Sequence, residues 1–417
     1  MTYQGIPGLL VLIGLAWFIS EARRQVALRE ILVGVIIQFA LGIVLLKLPV
    51  FQSLFLFLNK GALILQEATQ AGTSFVFGYL GGGALPFQES QPGKAFVIAF
   101  QVLPLVLVIS ALSSLLFYWQ ILPLIIRAFT WFLKKTMNMG GAAGFSAAAN
   151  IFVGMVEAPL FIRPYLKDLT RSELFIVMTC GMATVAGTVM VLYANLLSST
   201  IPDAMGHILT ASIMSVPAAI TISRIMIPQT QKQTQAVTSL PKTASSSMEA
   251  ISKGTIEGIH LLINIVAMLI VLISLVHLIN QILSLLPFVA DQPITLQRIL
   301  GICMAPVVWL MGIPWTETHT AGTLMGTKTI LNELIAYIDL ANLPDSSLSK
   351  SSRIILTYAM CGFANPGSLG ILIGGMSTMV PERRDEIVAL GMKSIVAGTI
   401  ATCMTGTIVG IMYNVLQ

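Results

Sequence analysis

Charge is what this sequence is short of. Asp, Glu, Lys and Arg make up 10% of its 417 residues, while hydrophobic residues make up 56%; an ordinary soluble domain carries about 25% charge. A soluble chain of this size must present a large charged surface to water, and these residues cannot cover one. The deficit excludes a cytosolic enzyme, a disulfide-built secreted scaffold and a disordered regulator. The solvent is lipid. Cysteine is scarce as well: Cys180, Cys303, Cys361 and Cys403 lie in or beside apolar segments with no metal-ligand spacing, and read as small buried side chains rather than disulfides or zinc ligands. There is no Gly-x-x-x-x-Gly-Lys-Ser/Thr run to drive a pump with ATP, no His-Glu-x-x-His, and no Ser/His/Asp set among the 4 histidines. The acids are too few and too far apart to line a channel filter. Nucleic acid is not the reading of the +5 net charge, because the basic residues cluster between apolar runs as in cytoplasmic loops.

A bilayer core takes about 20 apolar residues per helix. Eight spans are expected, at 5–20, 30–48, 95–119, 173–198, 207–227, 256–286, 350–376 and 387–415. The start, Met-Thr-Tyr-Gln-Gly, has no basic leader, so Ile6–Ile19 reads as a retained membrane helix. Three further regions, 55–82, 120–160 and 298–340, are apolar but interrupted by Gly, Pro and charge, which suggests amphipathic or re-entrant structure. Arg23, Arg24 and Arg29, then Arg127, Lys134 and Lys135, then Arg163, Lys167 and Arg171, then Lys232, Lys242 and Lys253, and finally Arg383 and Arg384 all fall inside when both termini are outside. Residues 229–255, rich in Gln, Thr and Ser, read as a flexible cytoplasmic linker. The expected organisation is 1–119 scaffold, 120–228 first repeat, 229–255 linker, 256–297 a long scaffold helix and 298–417 second repeat.

The two halves echo one another. Gly154-Met155-Val156-Glu157-Ala158-Pro159 precedes Cys180-Gly181-Met182-Ala183-Thr184, and Asn332-Glu333 precedes Cys361-Gly362-Phe363-Ala364-Asn365-Pro366-Gly367-Ser368. Each half offers an acid on a hairpin and then a Cys-Gly-x-Ala run opening into small polar residues. Gly and Pro free backbone carbonyls that lipid cannot satisfy, and a carboxylate at the bilayer centre marks a substrate or ion path. Glu157 and Glu333 are therefore the leading site residues. The competing reading puts each at a hairpin end near headgroups or paired with a lysine. His260 and Asn264 lie one turn apart and can share a face toward the site; a packing histidine fits His260 equally well. Glu317 and His319 read as part of a hairpin approach, His277 as structural and His207 as an external loop residue. Trp119, Trp131 and Tyr413 suit an interfacial belt.

Asn150-Ile-Phe-Val-Gly154-x-x-Glu157-Ala-Pro159, Ala183-Thr-Val-Ala-Gly187, Asn332-Glu333 and Cys361-Gly-Phe-Ala-Asn365, taken in order, resemble the concentrative nucleoside transporters, here a bacterial member. The resemblance covers nearly the whole chain. It implies an all-α polytopic membrane protein of eight transmembrane helices plus two re-entrant helical hairpins, arranged as inverted repeats with scaffold and transport (elevator) domains. It also implies a homotrimer in the bacterial inner membrane that imports nucleosides with sodium, or in some members with protons, and needs no cofactor. By the same resemblance Glu333, Asn365 and Ser368 hold the ribose, Glu157 faces the nucleobase, and Val189, Ile259 and Phe363 form apolar walls. Sodium takes side-chain oxygens of Asn150 and Thr184 and carbonyls of Val153 and Val185, the hard-oxygen shell that such a cation needs. The departure is Met155 and Val156, where many members have Gln-Thr or Gln-Ser to hydrogen-bond the base. A site that stops reading a polar edge stops rejecting analogues that lack it, so a more apolar, roomier pocket that admits or prefers purine nucleosides is expected. A transporter of another small polar solute is the remaining alternative.

Overall fold

The computed structural model describes residues 4–88, 95–234, 244–288 and 293–415, and among them every regular element is a helix. In chain order these are α1 (Gly5–Phe18), α2 (Leu28–Lys47), α3 (Pro49–Phe77), α4 (Ile98–Gln101), α5 (Leu105–Tyr118), α6 (Ile121–Met137), α7 (Gly141–Ala149), α8 (Glu157–Leu160) and α9 (Arg171–Ala183). They continue with α10 (Gly187–Leu197), α11 (Ala204–Met226), α12 (Ser247–Leu283), α13 (Leu296–Leu310), α14 (Thr318–Ile330), α15 (Glu333–Asn342), α16 (Lys350–Met360), α17 (Pro366–Met379) and α18 (Arg384–Val415). The order repeats. A hairpin (α7–α8), a broken helix (α9–α10) and a long helix (α11) recur as α14–α15, α16–α17 and α18.

Six stretches among the described residues are long and apolar enough to cross a membrane: Leu28–Lys47, Ile98–Tyr118, Arg171–Leu197, Ala204–Met226, Ser247–Leu283 and Pro381–Tyr413. Of the other expected spans, the first is the shorter apolar helix α1 and the seventh is divided between α16 and α17. The core is α9, α11 and the second half of α18, whose side chains are almost all buried, whereas α12 leaves most of its apolar surface exposed. Close approach between helices relies on absent side chains. A Cβ on Gly254 would lie 2.6 Å from the Ser110 carbonyl, and one on Gly258 would lie 3.0 Å from Leu107 Cα, which seats α12 on α5. Gly34 plays the same part between α2 and α11, where a Cβ would collide with Thr221 Oγ1.

Charge is concentrated where α1 turns into α2. Arg171 donates to Glu21 at 2.9 Å and Lys393 donates to it at 2.6 Å, so this turn is tied to the start of α9 and to the third turn of α18. The Arg171 guanidinium, more than the Lys393 ammonium, holds the Glu21 carboxyl down to about 2 against some desolvation. Arg224 of α11 donates to the Met137 and Asn138 carbonyls at 2.7 and 2.9 Å, satisfying the end of α6.

Several expectations need correction. Region 55–82 is not broken through its length: α3 runs unbroken for 29 residues, with its Gly61 and Gly72 on open faces, and only the segment from Gly78 leaves the helix. The linker ends early, because Ser246 caps Glu249 N–H and starts α12 at Ser247, within the stretch read as linker. Its first residues are tied down as well, with Gln233 donating to the Asn138 carbonyl at 2.8 Å and Thr234 N–H to Glu173 at 2.9 Å; residues 235–243 lie outside the described residues. His207 is not in a loop: it belongs to α11, with Nδ1 3.0 Å from Tyr358 Oη. Cys303 is exposed on α13, unlike the other three cysteines.

Replacing Gly34 with leucine is expected to force α2 off α11, at a cost of about 2 kcal/mol or more. Thermal unfolding of the detergent-solubilised protein measures this. Gly14→Ala, where nothing lies within 4 Å of the added Cβ, is the control that leaves the transition in place.

Candidate functional site

Both broken helices stop for local reasons. Helix α9 ends where Thr184 (φ −118°, ψ 169°) and Ala186 (φ −68°, ψ 143°) are extended, and Gly187 restarts the chain as α10. Helix α16 ends at Met360, and Asn365, also extended, caps α17: its Oδ1 accepts from Ser368 N–H at 2.8 Å, with Pro366 at the first helical position. The two breaks touch. Phe363 N–H donates to the Thr184 carbonyl at 3.3 Å, and a Cβ on Gly362 would lie only 2.9 Å from the Met182 carbonyl.

Glu333 begins α15, which is capped by Asn332 Oδ1 accepting from Ile335 N–H at 3.0 Å. An acid in a first helical turn sits favourably against the helix dipole. The residue is 4% exposed. Tyr193 Oη donates to one oxygen at 2.6 Å and Asn365 Nδ2 donates to the other at 3.2 Å. Residues from α10, α15 and the start of α17 thus meet on one carboxylate. Val189, buried, lies one turn before Tyr193 and on the same helix face; Phe363 and Ser368 are half-buried. A buried carboxylate with remaining lone pairs, beside an amide, suits a ligand whose hydroxyls both donate and accept.

The first hairpin contributes differently. A Cβ on Gly187 would collide with the Phe152 carbonyl, so the absence of one lets the turn after α7 lie directly on the first break. Asn150 is 1% exposed, donates from Nδ2 to the Ser146 carbonyl at 3.2 Å, and leaves its buried Oδ1 without a hydrogen-bond partner. Thr184 Oγ1 donates to the Cys180 carbonyl at 2.8 Å, which keeps its lone pairs for another group. Val185 is buried and Val153 half-buried in the same two segments. An orphaned amide oxygen and a hydroxyl oxygen, without a cluster of His, Cys, Asp or Glu among the described residues, suit a hard monovalent cation and not a transition metal.

Glu157 differs from the expected buried acid. The residue is exposed, with Glu257 of α12 as a charged neighbour. The reason is geometric: α8 is a single turn, too short to roof the group, and the side chain folds back over Gly154. Met155 is buried with its Cβ 2.9 Å from where one on Gly181 would be, and Val156 Cγ1 is 2.7 Å from that of Gly375. Ile259 and His260 are exposed on α12, and among the described residues His260 makes no hydrogen bond to the Glu333 group. Glu317 accepts from Ser349 N–H and Oγ at 3.1 Å and so helps to start α16. Tyr193 was not legible as a site residue, although a tyrosine inside a buried apolar helix needs a partner for its hydroxyl, and that need was the available signal.

The sequence model for the Na+ dependent nucleoside transporter C-terminus matches residues 207–410. That for the N-terminus matches 7–80, and one described as a nucleoside-recognition Gate matches 99–200. The chain belongs to the Na+ dependent nucleoside transporter family. Nucleoside permease NupC of Helicobacter pylori is 36% identical over 412 residues, covering 97% of this chain and 96% of its own. Human solute carrier family 28 member 3 is 34% identical over 97% of this chain and 59% of its own length. CNTnw, solved in an inward-facing substrate-bound state, superposes with a TM-score of 0.89 at 32% identity over 99% of this chain and 98% of that one. These relatives are transporters and not enzymes, and the present transporter shares their all-helical polytopic fold.

Tyr193→Phe keeps the ring packed against Tyr337, 5.1 Å away between centroids, but leaves a buried carboxylate one donor short. A stability loss of about 1–3 kcal/mol is expected for the transporter. A double-mutant cycle with Glu333→Gln, read by unfolding in detergent, should show coupling; strict additivity would separate the hydroxyl from the acid.

Proposed function

We propose that the transporter imports nucleosides across the bacterial inner membrane, drawing on a sodium gradient. The observation that carries the reading is the Glu333 carboxylate held between Tyr193 and Asn365, a buried polar cluster at the junction of two broken helices in a chain of this family. In this reading Glu333, Asn365 and Ser368 hold the ribose, and Val189, Phe363 and Ile259 bound the base and sugar. Glu157, Met155 and Val156 border the base side, with His260 at the approach. Asn150, Thr184, Val153 and Val185 take the sodium ion; the unpartnered Asn150 Oδ1 supports that assignment. The hairpins α7–α8 and α14–α15 are re-entrant and both termini lie outside. The repeats, 120–228 and 298–417, form a moving domain against a scaffold of 1–119 and 256–297. CNTnw structures in inward-facing, outward-facing and intermediate states support an elevator displacement. The assembly in this reading is a homotrimer, and the exposed apolar length of α12 is a face for lipid or for another copy.

Uptake of radiolabelled uridine in vesicles with choline in place of sodium is expected to fall to background between pH 5.5 and 8. Undiminished transport without sodium, rising as the outside is acidified, would establish proton coupling in its place.

The base side carries Met155 and Val156, whose side chains offer no strong hydrogen bond. Adenosine, guanosine and inosine are therefore expected to compete with uridine at least as well as cytidine does. Strict pyrimidine selectivity in that competition overturns the purine reading.

A further inference from the structure

Tyr337 belongs to α15, one turn after Glu333 and on the same helix face. It is 0% exposed, and its Oη donates to the Thr357 carbonyl of α16 at 2.8 Å. The helix break is what frees that carbonyl. In a regular helix it would accept from the N–H four residues on, but Cys361 caps α16 and donates to the Tyr358 carbonyl at 3.2 Å instead. A carbonyl orphaned inside a membrane domain needs a protein donor, and the second hairpin supplies one.

Glu333 grips the other side of the same break. Its carboxylate accepts from Asn365, the residue that caps α17. Two side chains one turn apart on α15 therefore hold the two halves of the second broken helix, Tyr337 the end of α16 and Glu333 the start of α17. The far end of α15 is fixed to α16 as well. Arg353, 4% exposed, donates to the carbonyls of Leu340, Leu343 and Pro344 at 3.3, 3.1 and 2.8 Å. Tyr193 completes the group, with its ring 5.1 Å from that of Tyr337 and its hydroxyl on Glu333. The first hairpin offers an internal comparison. Four residues after Glu157 stands Phe161, which has no hydroxyl and stacks on Phe117 of α5 at 5.0 Å, and there the acid is exposed.

We propose that α15 is a splint across the second helix break and that Tyr337 is a positioning residue within it. Its hydroxyl fixes the end of α16 relative to Asn365, and so sets the Glu333 carboxylate and the Asn365 amide in place for the ligand. The effect on ligand affinity rests on the nucleoside reading above; the splint itself does not.

The test uses the full-length transporter in vesicles, with uridine as the transported probe, and Tyr337→Phe compared with Ser172→Ala. Each variant deletes one buried hydroxyl that donates to a backbone carbonyl. Ser172 Oγ donates to the Ile227 carbonyl at 2.7 Å, at the start of α9 and outside the Glu333 group. Tyr337→Phe is expected to raise the uridine KM about tenfold, the change that one net buried hydrogen bond corresponds to, with the maximal rate kept. Amide hydrogen exchange over 361–368, read by mass spectrometry, is expected to become about tenfold faster. Ser172→Ala is expected to lower thermal stability comparably and to change neither quantity; a purely structural role for Tyr337 would leave the two variants alike. Wild-type exchange over 361–368 in Tyr337→Phe overturns the splint. A wild-type KM in Tyr337→Phe, where Glu333→Gln has lost uptake, overturns the positioning role. If Tyr337→Phe does not yield folded protein, Arg353→Lys, which keeps the charge but cannot hold three carbonyls, loosens α15 from its other end. It is expected to give the same two changes, and wild-type values there overturn the proposal. Normal uptake by Glu333→Gln would instead refute the nucleoside reading of this carboxylate and leave the exchange measurement to decide the splint.

Discussion

The hydrogen bond from Phe363 N–H to the Thr184 carbonyl, 3.3 Å long, joins two helices that have each been cut in the middle of the membrane domain. A helix break there exposes backbone groups that lipid cannot satisfy, so each break needs protein or ligand against it. The chain sets the breaks against one another, and the Glu333 carboxylate is held beside that junction by Asn365. The site lies where this constraint is met only in part. Asn365 serves both needs at once, because its Oδ1 caps α17 while its Nδ2 holds Glu333. Changing it removes a helix cap and the hold on Glu333 together.

Approach of this kind depends on small residues. Gly187 admits the Phe152 carbonyl, Gly362 admits the Met182 carbonyl, and Gly398 of α18 accepts the Met182 side chain, whose Cβ is 2.7 Å from where the glycine's own would be. The hairpin turns therefore lie against backbone rather than against side chains. Backbone positions are set by whole helices, so ligand groups placed on these turns are held more firmly than on a free loop. The peripheral helices need no such precision. Helix α12 meets α5 at Gly254 and Gly258 and otherwise offers an apolar surface outward.

The two acids, the two breaks and the asparagine before Pro366 were legible because each violates the rule of an apolar span: Gly, Pro and a carboxylate in such surroundings are expensive unless they act. Family resemblance then assigned their roles. What was not legible has the opposite character. Tyr193 sits in a segment whose neighbours give no motif, and only burial shows that its polar end needs a partner. The continuity of α3 was hidden by Gly61, Gly72 and scattered charge, which on open helix faces cost little. The early start of α12 was hidden in a Ser-rich stretch, where Ser246 is a helix cap rather than part of a loose connection. His207 was misplaced because its partner, Tyr358, lies 151 residues away, beyond any local pattern.

The same packing bears on base recognition. Met155 and Val156 are committed to Gly181 and Gly375, so the tip of the first hairpin spends its side chains on holding α9 and α17. A longer polar side chain at position 155 would need space that Gly181 supplies only to a group lying flat against it. Adding a hydrogen-bonding residue there would therefore have to loosen the hairpin before it could reach a ligand. Glu157, accessible beside these residues, is left as the polar group of the tip. In the nucleoside reading, discrimination between bases then falls to one carboxylate and the shape of apolar walls. Shape alone separates ligands by about 1–3 kcal/mol per methylene-sized difference, a much weaker filter than paired donors and acceptors, and a broad base range is the physical consequence.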